Sequence, residues 1–199
     1  MASILKVDTI QDQSGNNIIN ESADTITIGA SGDTVNIVGT LQNGGTNFLQ
    51  GITEADQWRL TVDITTNTNP ISANLERVDN IGFGKIGTGM SVSSGIWTFP
   101  STGLWKIELH ATGSLGGSDV QTTINIRTYI SASPTDVAIA YIGSNGDNDS
   151  ASTSFLYNVT DTSTHQLTFR TDSMVGSTVR GDTDYNETHF NFIRLGDSV

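Results

Sequence analysis

The stretch Ile96-Trp-Thr-Phe-Pro-Ser-Thr-Gly-Leu-Trp-Lys-Ile107 decides the fold. Pro100 and Gly103 set a tight corner, Pro by its fixed φ and Gly by its freedom from side-chain clashes. Trp105 anchors whatever follows in a core. After the corner, Trp105, Ile107, Leu109 and Ala111 take every second position. That period is the mark of a strand with one buried face.

The same pattern extends in both directions from this corner. On the N-terminal side, Trp58, Leu60, Val62 and Ile64 are expected to share a face, and Ile71 to Val78, Ile81 to Ile86 and Ile96 to Phe99 are shorter pieces. On the C-terminal side, Val120, Thr122, Ile124, Ile126, Thr128 and Ile130 form the longest run. Val137, Ile139 and Tyr141 follow, then Phe155, Tyr157 and Val159, then Leu167 and Phe169, with Val175 to Val179 as a weak candidate. The last run, His189-Phe-Asn-Phe-Ile-Arg-Leu195, is apolar on both faces, so it is expected between two layers, one its own core and the other a second subunit. No segment of ten residues shows helical periodicity; Gly51 to Trp58 is the nearest, as one short turn with Thr53 as N-cap. Short strands separated by polar turns predict a two-sheet sandwich or jelly roll, an all-β class.

Residues 1–45 read differently from residues 46–199, and the chain divides near Asn43-Gly44-Gly45. Asp24-Thr25-Ile26-Thr27-Ile28 is echoed nine residues later by Asp33-Thr34-Val35-Asn36-Ile37, with Ser31-Gly32 as the turn between them. Asp8-Thr9-Ile10 is a weaker echo. Such a ribbon exposes its apolar row, Ile26, Ile28, Val35 and Ile37, and strand repeats of this kind need neighbours to bury it. Three chains around an axis would do so; a hairpin packed on the main domain is the other reading.

Composition removes several functions. Of 199 residues, 9 are Lys or Arg and 21 are Asp or Glu, a net charge of −12. Lys6, Lys85, Lys106 and six scattered Arg make no basic patch, so no nucleic acid is expected as partner. With no Cys, disulfides, thiolate-bound zinc and thiol catalysis are excluded. No apolar run is long enough for membrane insertion, and the opening residues hold no signal-peptide core, so export by that route is not expected.

Phe99, Pro100, Gly103 and Trp105 resemble the corner of the C1q/TNF-like jelly roll, in which an aromatic and Pro precede a turn, Gly and an aromatic that opens a core strand. Thr188-His-Phe-Asn-Phe-Ile-Arg-Leu195 is similar to that family's last strand near a trimer axis, with Arg194 as a departure. The resemblance spans roughly residues 57–196 and implies a homotrimer, with Phe190, Phe192, Ile193 and Leu195 at the subunit interface beside Ile26, Ile28, Val35 and Ile37. The opening, Met-Ala-Ser-Ile-Leu-Lys-Val-Asp-Thr-Ile-Gln, resembles structural proteins of tailed phages, particularly of marine and cyanobacterial hosts. That resemblance implies a short attachment segment, a β-rich shaft and a knob.

Few residues suggest chemistry. His110, His165 and His189 lie in expected strands and in no recognisable motif, so no enzyme is expected. Asn145, Asp147 and Asp149 can offer oxygens to Ca2+, but the loop lacks the bidentate Glu of an EF-hand and also reads as a solvated turn. Asp182 and Asp184 are a weaker pair of the same kind. Tyr185, flanked by Asp182, Asp184 and Asn186 in the loop 181–187, is the one aromatic expected outside a strand. That loop reads as a receptor contact able to hydrogen-bond a glycan, or as a polar loop with one anchoring Tyr. Arg180-Gly-Asp182 and the sequons at Asn20, Asn148, Asn158 and Asn186 occur at the frequency chance predicts.

The expected function is a non-enzymatic phage virion structural protein: a trimeric tail fibre or appendage, assembled in the host cytoplasm and carried on the virion. Its N-terminal segment would dock on other virion proteins and its knob would meet a host cell-surface glycan or protein. A trimeric capsid decoration protein or head fibre is the alternative, and a secreted C1q-like binding module the third.

Overall fold

The computed structural model describes residues 9–11, 13–14, 17–22, 25–28, 31–38, 41–43, 46–47, 51–143 and 148–199. The chain forms two compact units, Met1–Gln50 and Gly51–Val199.

In the first unit, β1 (Thr9–Gln11), β2 (Asn17–Ser22) and β3 (Thr25–Ile28) make an antiparallel sheet in that order. Ile10 pairs with Ile19, and Ile19 with Ile28. Two short strands, β4 (Gln42–Asn43) and β5 (Thr46–Asn47), pair across the Asn-Gly-Gly sequence. The expected ribbon is corrected here. The partner of β3 is β2, which follows the shortest link, and not the echo after the Ser31-Gly32 turn. Residues 33–37 are not in a strand, and Val35 and Ile37 are each half exposed. Ile28 is exposed as well, while the side chain of Ile26 lies outside what the structure describes.

The second unit is an antiparallel sandwich. Its strands are β6 (Ala55–Leu60), β7 (Leu75–Arg77), β8 (Ser91–Ser93), β9 (Ile96–Thr98), β10 (Gly103–Ser114), β11 (Thr122–Ile130), β12 (Ser133–Ile142), β13 (Asp149–Val159), β14 (His165–Asp172), β15 (Thr178–Val179) and β16 (His189–Gly196). One sheet runs β13-β10-β16-β6-β7, with β15 on β10; the other runs β12-β11-β14-β9-β8. No described residue is helical.

β10 carries the pattern read from the sequence. Trp105, Ile107, Leu109 and Ala111 are buried, and the residues between them face outward. Trp97 lies at the centre of the core. It meets Trp58 at 5.2 Å and Phe169 at 5.8 Å, both edge to face, and Phe192 at 5.0 Å. Phe99 bridges to Trp105 at 5.1 Å and to Tyr157 at 5.6 Å. Each such pair contributes about 0.5–1.5 kcal/mol beyond the area it buries. The corner closes on itself, since Trp105 Nε1–H donates to the Ser101 carbonyl at 3.2 Å.

Several local expectations are overturned by tertiary contacts. Gly51 to Trp58 is no helical turn, because residues 55–60 pair with β16 and β7 as a strand. Thr53 caps nothing and instead accepts a hydrogen bond from Arg194 Nη1 at 3.3 Å. The shared face of 58, 60, 62 and 64 breaks after Leu60, leaving Val62 half exposed. In β12 the buried residues are Ala140 and Ile142, whereas Ile139 and Tyr141 point out. A bulge at Ile126/Arg127 sets that register by pairing Ile126 with Ala138 and Arg127 with Asp136. Ile81 to Ile86 forms a loop, tied by a single bridge from Ile86 to Ala55.

Candidate functional site

Two surfaces of the sandwich unit carry the residues singled out from the sequence. The first is the outer face of the six-stranded sheet. Register aligns Leu156, Lys106 and Ile193 in one row across β13, β10 and β16. The next row is Ser154, Glu108, Asn191 and Gln57, and the one beyond it is Ser152, His110 and His189. Leu156 is 55% exposed, Ile193 is half-buried, and Leu195, at the bulge opposite Leu104/Trp105, is 50% exposed.

Placement of the β16 residues corrects the expected interface. Phe190 and Phe192 have no exposed surface at all, because they pack against Trp97 and Phe169 in the chain's own core. They have nothing to present to another copy. Only Ile193 and Leu195, on the opposite face, remain available.

The polar rows form a ladder. Gln57 Nε2 donates to Asn191 Oδ1 at 2.6 Å, and Asn191 Nδ2 to Glu108 Oε2 at 3.5 Å. His110 and His189 stack in a shallow recess with Glu108, Asn191, Ser152 and Ser154. The strand register also sets His110 Nδ1 2.8 Å from Ser152 Oγ. Sequence spacing gave no hint of this pair, since 42 residues separate its members. A nucleophilic serine needs its histidine oriented by a third group. Among the described residues no carboxylate is hydrogen-bonded to His110; the pair links β10 to β13 across the sheet. Burial pushes the His189 imidazole below its ordinary pKa of 6.5, while its contact with the Asn186 carbonyl acts against that shift.

The second surface joins two loops. In the 181–187 loop, Asp182 Oδ1 accepts from the amides of Asp184 at 2.6 Å and Tyr185 at 3.0 Å. That contact fixes the backbone and leaves Tyr185 71% exposed. Asn186 Nδ2 donates to Gln57 Oε1 at 2.9 Å. Asn80 Nδ2 donates to the Asp184 carbonyl at 2.9 Å, tying this loop to the one after β7. Asn80 is itself held by buried Arg59, whose Nη1 reaches Asn80 Oδ1 and whose Nη2 reaches Glu76 at 2.7 Å and Asp79 at 2.6 Å. Asn80 and Phe83 belong to this surface and were not distinguished by sequence, since neither stands in a motif.

Of the candidate Ca2+ residues, Asn145 and Asp147 lie outside the described residues. Asp149 Oδ1 accepts from the Ser150 amide at 2.8 Å and Oδ2 from the Gly143 amide at 3.3 Å. Among the described residues no cluster of three or more His, Asp or Glu is arranged to hold a metal. Asp182 and Asp184 form a turn, as described above. Arg180 of the Arg-Gly-Asp tripeptide pairs with Glu187 at 3.2 Å.

No family model matches the chain, and no curated protein matches it significantly. Solved structures do. The Eiger TNF of S. frugiperda superposes with a TM-score of 0.57 at 8% identity, over 75% of this chain and 96% of that one. Murine APRIL at pH 8.5 gives 0.53 at 8% identity, over 71% and 98%. The globular domain of zebrafish complement 1qA protein gives 0.51 at 11% identity, over 73% and 99%. The fold of the second unit is therefore the C1q/TNF-like jelly roll, as the Phe99–Trp105 corner led one to expect.

Proposed function

We propose that the protein is a non-enzymatic, homotrimeric structural protein of a phage virion. In this reading it is a tail fibre or similar appendage, with an N-terminal segment docked on other virion proteins and a knob turned toward the host surface. One observation carries the reading: in a single copy, both units leave apolar side chains uncovered. In the knob this is Leu156, Ile193 and Leu195 on the outer face of the six-stranded sheet; in the first unit it is Ile28, Val35 and Ile37. Association of copies buries both sets, at roughly 25 cal/mol per Å2 of apolar area before the cost of association. The phage-like opening residues support the virion setting. Three-fold presentation multiplies weak contacts through effective concentration, and the net charge of −12 keeps a projecting part soluble.

The test has two parts. Sedimentation of the purified chain should give three times the monomer mass, and a stable 21.2 kDa species overturns the trimer. Labelled antibody on phage particles should mark the tail. Label spread over the head favours the capsid decoration protein.

A further inference from the structure

We propose that the recess between the loop after β7 and the 181–187 loop binds a neutral hexopyranose. This deepens the host-contacting role proposed above and rests on that reading for its biological meaning; the binding itself belongs to the chain. The recess is open, measures about 500 Å3, and is lined by Gln57, Asn80, Phe83, Asp184, Tyr185 and Asn186 among others. That volume lies within the ~300–1,000 Å3 usual for small-molecule sites.

Three features point to a sugar. The first is aromatic surface from two separate loops. Tyr185 is largely exposed and Phe83 half-buried, so each offers a flat apolar surface for the C–H face of a pyranose ring. Glycines 82 and 84 flank Phe83, and neither position has an atom within 4 Å of where a Cβ would stand. No side chain on either neighbour therefore competes for the space beside Phe83.

The second feature is a set of amides held in place with capacity to spare. Asn80 spends one Nδ2 hydrogen on the Asp184 carbonyl, and Gln57 spends one Nε2 hydrogen on Asn191. Each primary amide has two such hydrogens. The remaining ones, with the Asp184 carboxylate and the Tyr185 hydroxyl, provide donors and acceptors for vicinal hydroxyls. Buried Arg59 and the Asp182 turn hold both loops before any ligand arrives, which lowers the ordering cost of binding.

Charge is the third feature and sets the ligand class. Asp184 lines the recess, Asp79 and Asp182 lie in its two loops, and the nearby guanidinium of Arg59 is buried and paired with Glu76 and Asp79. Asp184 is the one charged side chain among the residues that line the recess, so a sugar carboxylate would meet negative charge there; Lys85, in the loop after β7, does not line it and spends its Nζ on the Thr88 carbonyl. Neutral hexopyranosides are favoured over uronic or sialic acids.

The experiment is saturation-transfer-difference NMR on the full chain. The probes are the methyl glycosides of glucose, galactose, mannose and N-acetylglucosamine, with methyl glucuronide as the anionic control. At least one neutral glycoside should receive transfer and the glucuronide none. Tyr185→Ala should weaken binding about tenfold, the order expected for losing one aromatic stack, whereas Tyr185→Phe should retain most of it. Silence from all four neutral glycosides overturns the proposal. So does transfer undiminished in Tyr185→Ala, or preference for the glucuronide. Tyr185 is exposed, so its replacement should leave the sedimentation coefficient unchanged; a fall to monomer assigns this surface to a second copy instead and also overturns the sugar site. Loss of sugar binding with an intact trimer leaves the appendage reading standing.

Discussion

His110 and His189 stack across the β10–β16 pairing, with ring centroids 5.0 Å apart and planes inclined by 30°. His189 Nδ1 lies 3.0 Å from the Asn186 carbonyl, a contact in which the imidazole N–H donates. Burial, together with the facing His110 ring, disfavours the protonated form of His189.

Stability should therefore decline on mild acidification. His189 is held below its ordinary value of 6.5, so near neutral pH both folded and unfolded chains carry it uncharged. As pH falls through 6.5 the unfolded chain takes up the proton more readily, and folding stability drops by linkage. The melting temperature should fall between about pH 7 and about pH 5, the range in which His titrates. His189→Gln should flatten that segment of the profile, and an unchanged slope in this variant refutes the assignment.

A second pH effect lies lower. Asp119 Oδ2 accepts from the amides of Gly176, Ser177 and Val175 and from Ser177 Oγ, at 2.6–3.0 Å. These bonds, led by the Gly176 amide, hold the carboxyl at about 2. The stability this group contributes is present above its unfolded value of 3.8 and is lost as pH falls toward about 2. Asp119→Ala should remove it above about pH 4 and change stability progressively less as pH falls toward about 2. The amides of residues 175–177 should then exchange faster with deuterium, while those of β10 stay protected.

Gly103→Ala should destabilise the fold by about 2 kcal/mol or more, the level seen when backbone strain and a steric clash combine. Gly103 has φ +150°, and an added Cβ would stand 2.5 Å from Arg194 Nε and 2.6 Å from the Gly196 carbonyl oxygen. The denaturation midpoint should fall with an unchanged m-value. Arg194 Nε–H, which donates to the Thr102 carbonyl at 2.9 Å, should lose that bond.

The two faces of β16 should respond differently to the same substitution. Phe190→Asp places a charge where nothing is exposed and should prevent folding, because such a charge has no partner there. Ile193→Asp alters a half-buried outward position next to Lys106. It should leave circular dichroism intact and shift sedimentation from trimer to monomer. A trimer that persists in Ile193→Asp removes this face from the proposed interface.

Much of the sandwich unit was legible in the chain itself. The alternation of Trp105 to Ala111, the corner at Pro100 and Gly103, and the late strands around Tyr157, Phe169 and Phe192 follow from preferences of neighbouring residues. Residues 33–37 and Val137 to Tyr141 depart from their local patterns because those patterns are equally good in another register or without a partner. The candidate site was legible only in part. Tyr185 and its flanking acids form one loop and could be seen together, but Asn80 and Phe83 lie in another loop with no motif to mark them.

By itself the sequence determined that the chain is all-β, which residues alternate, and where the main corner turns, since those properties depend on residues a few positions apart. Only the tertiary structure decided that Phe190 and Phe192 face inward, that β3 takes β2 as its neighbour, that His110 meets His189 and Ser152, and that Asn80 ties Phe83's loop to Tyr185's. Each of these is a choice among partners far apart along the chain, such as Asn80 and Asp184. It is made by which arrangement best fills the Trp97 core and satisfies buried polar groups, and no local pattern records that outcome.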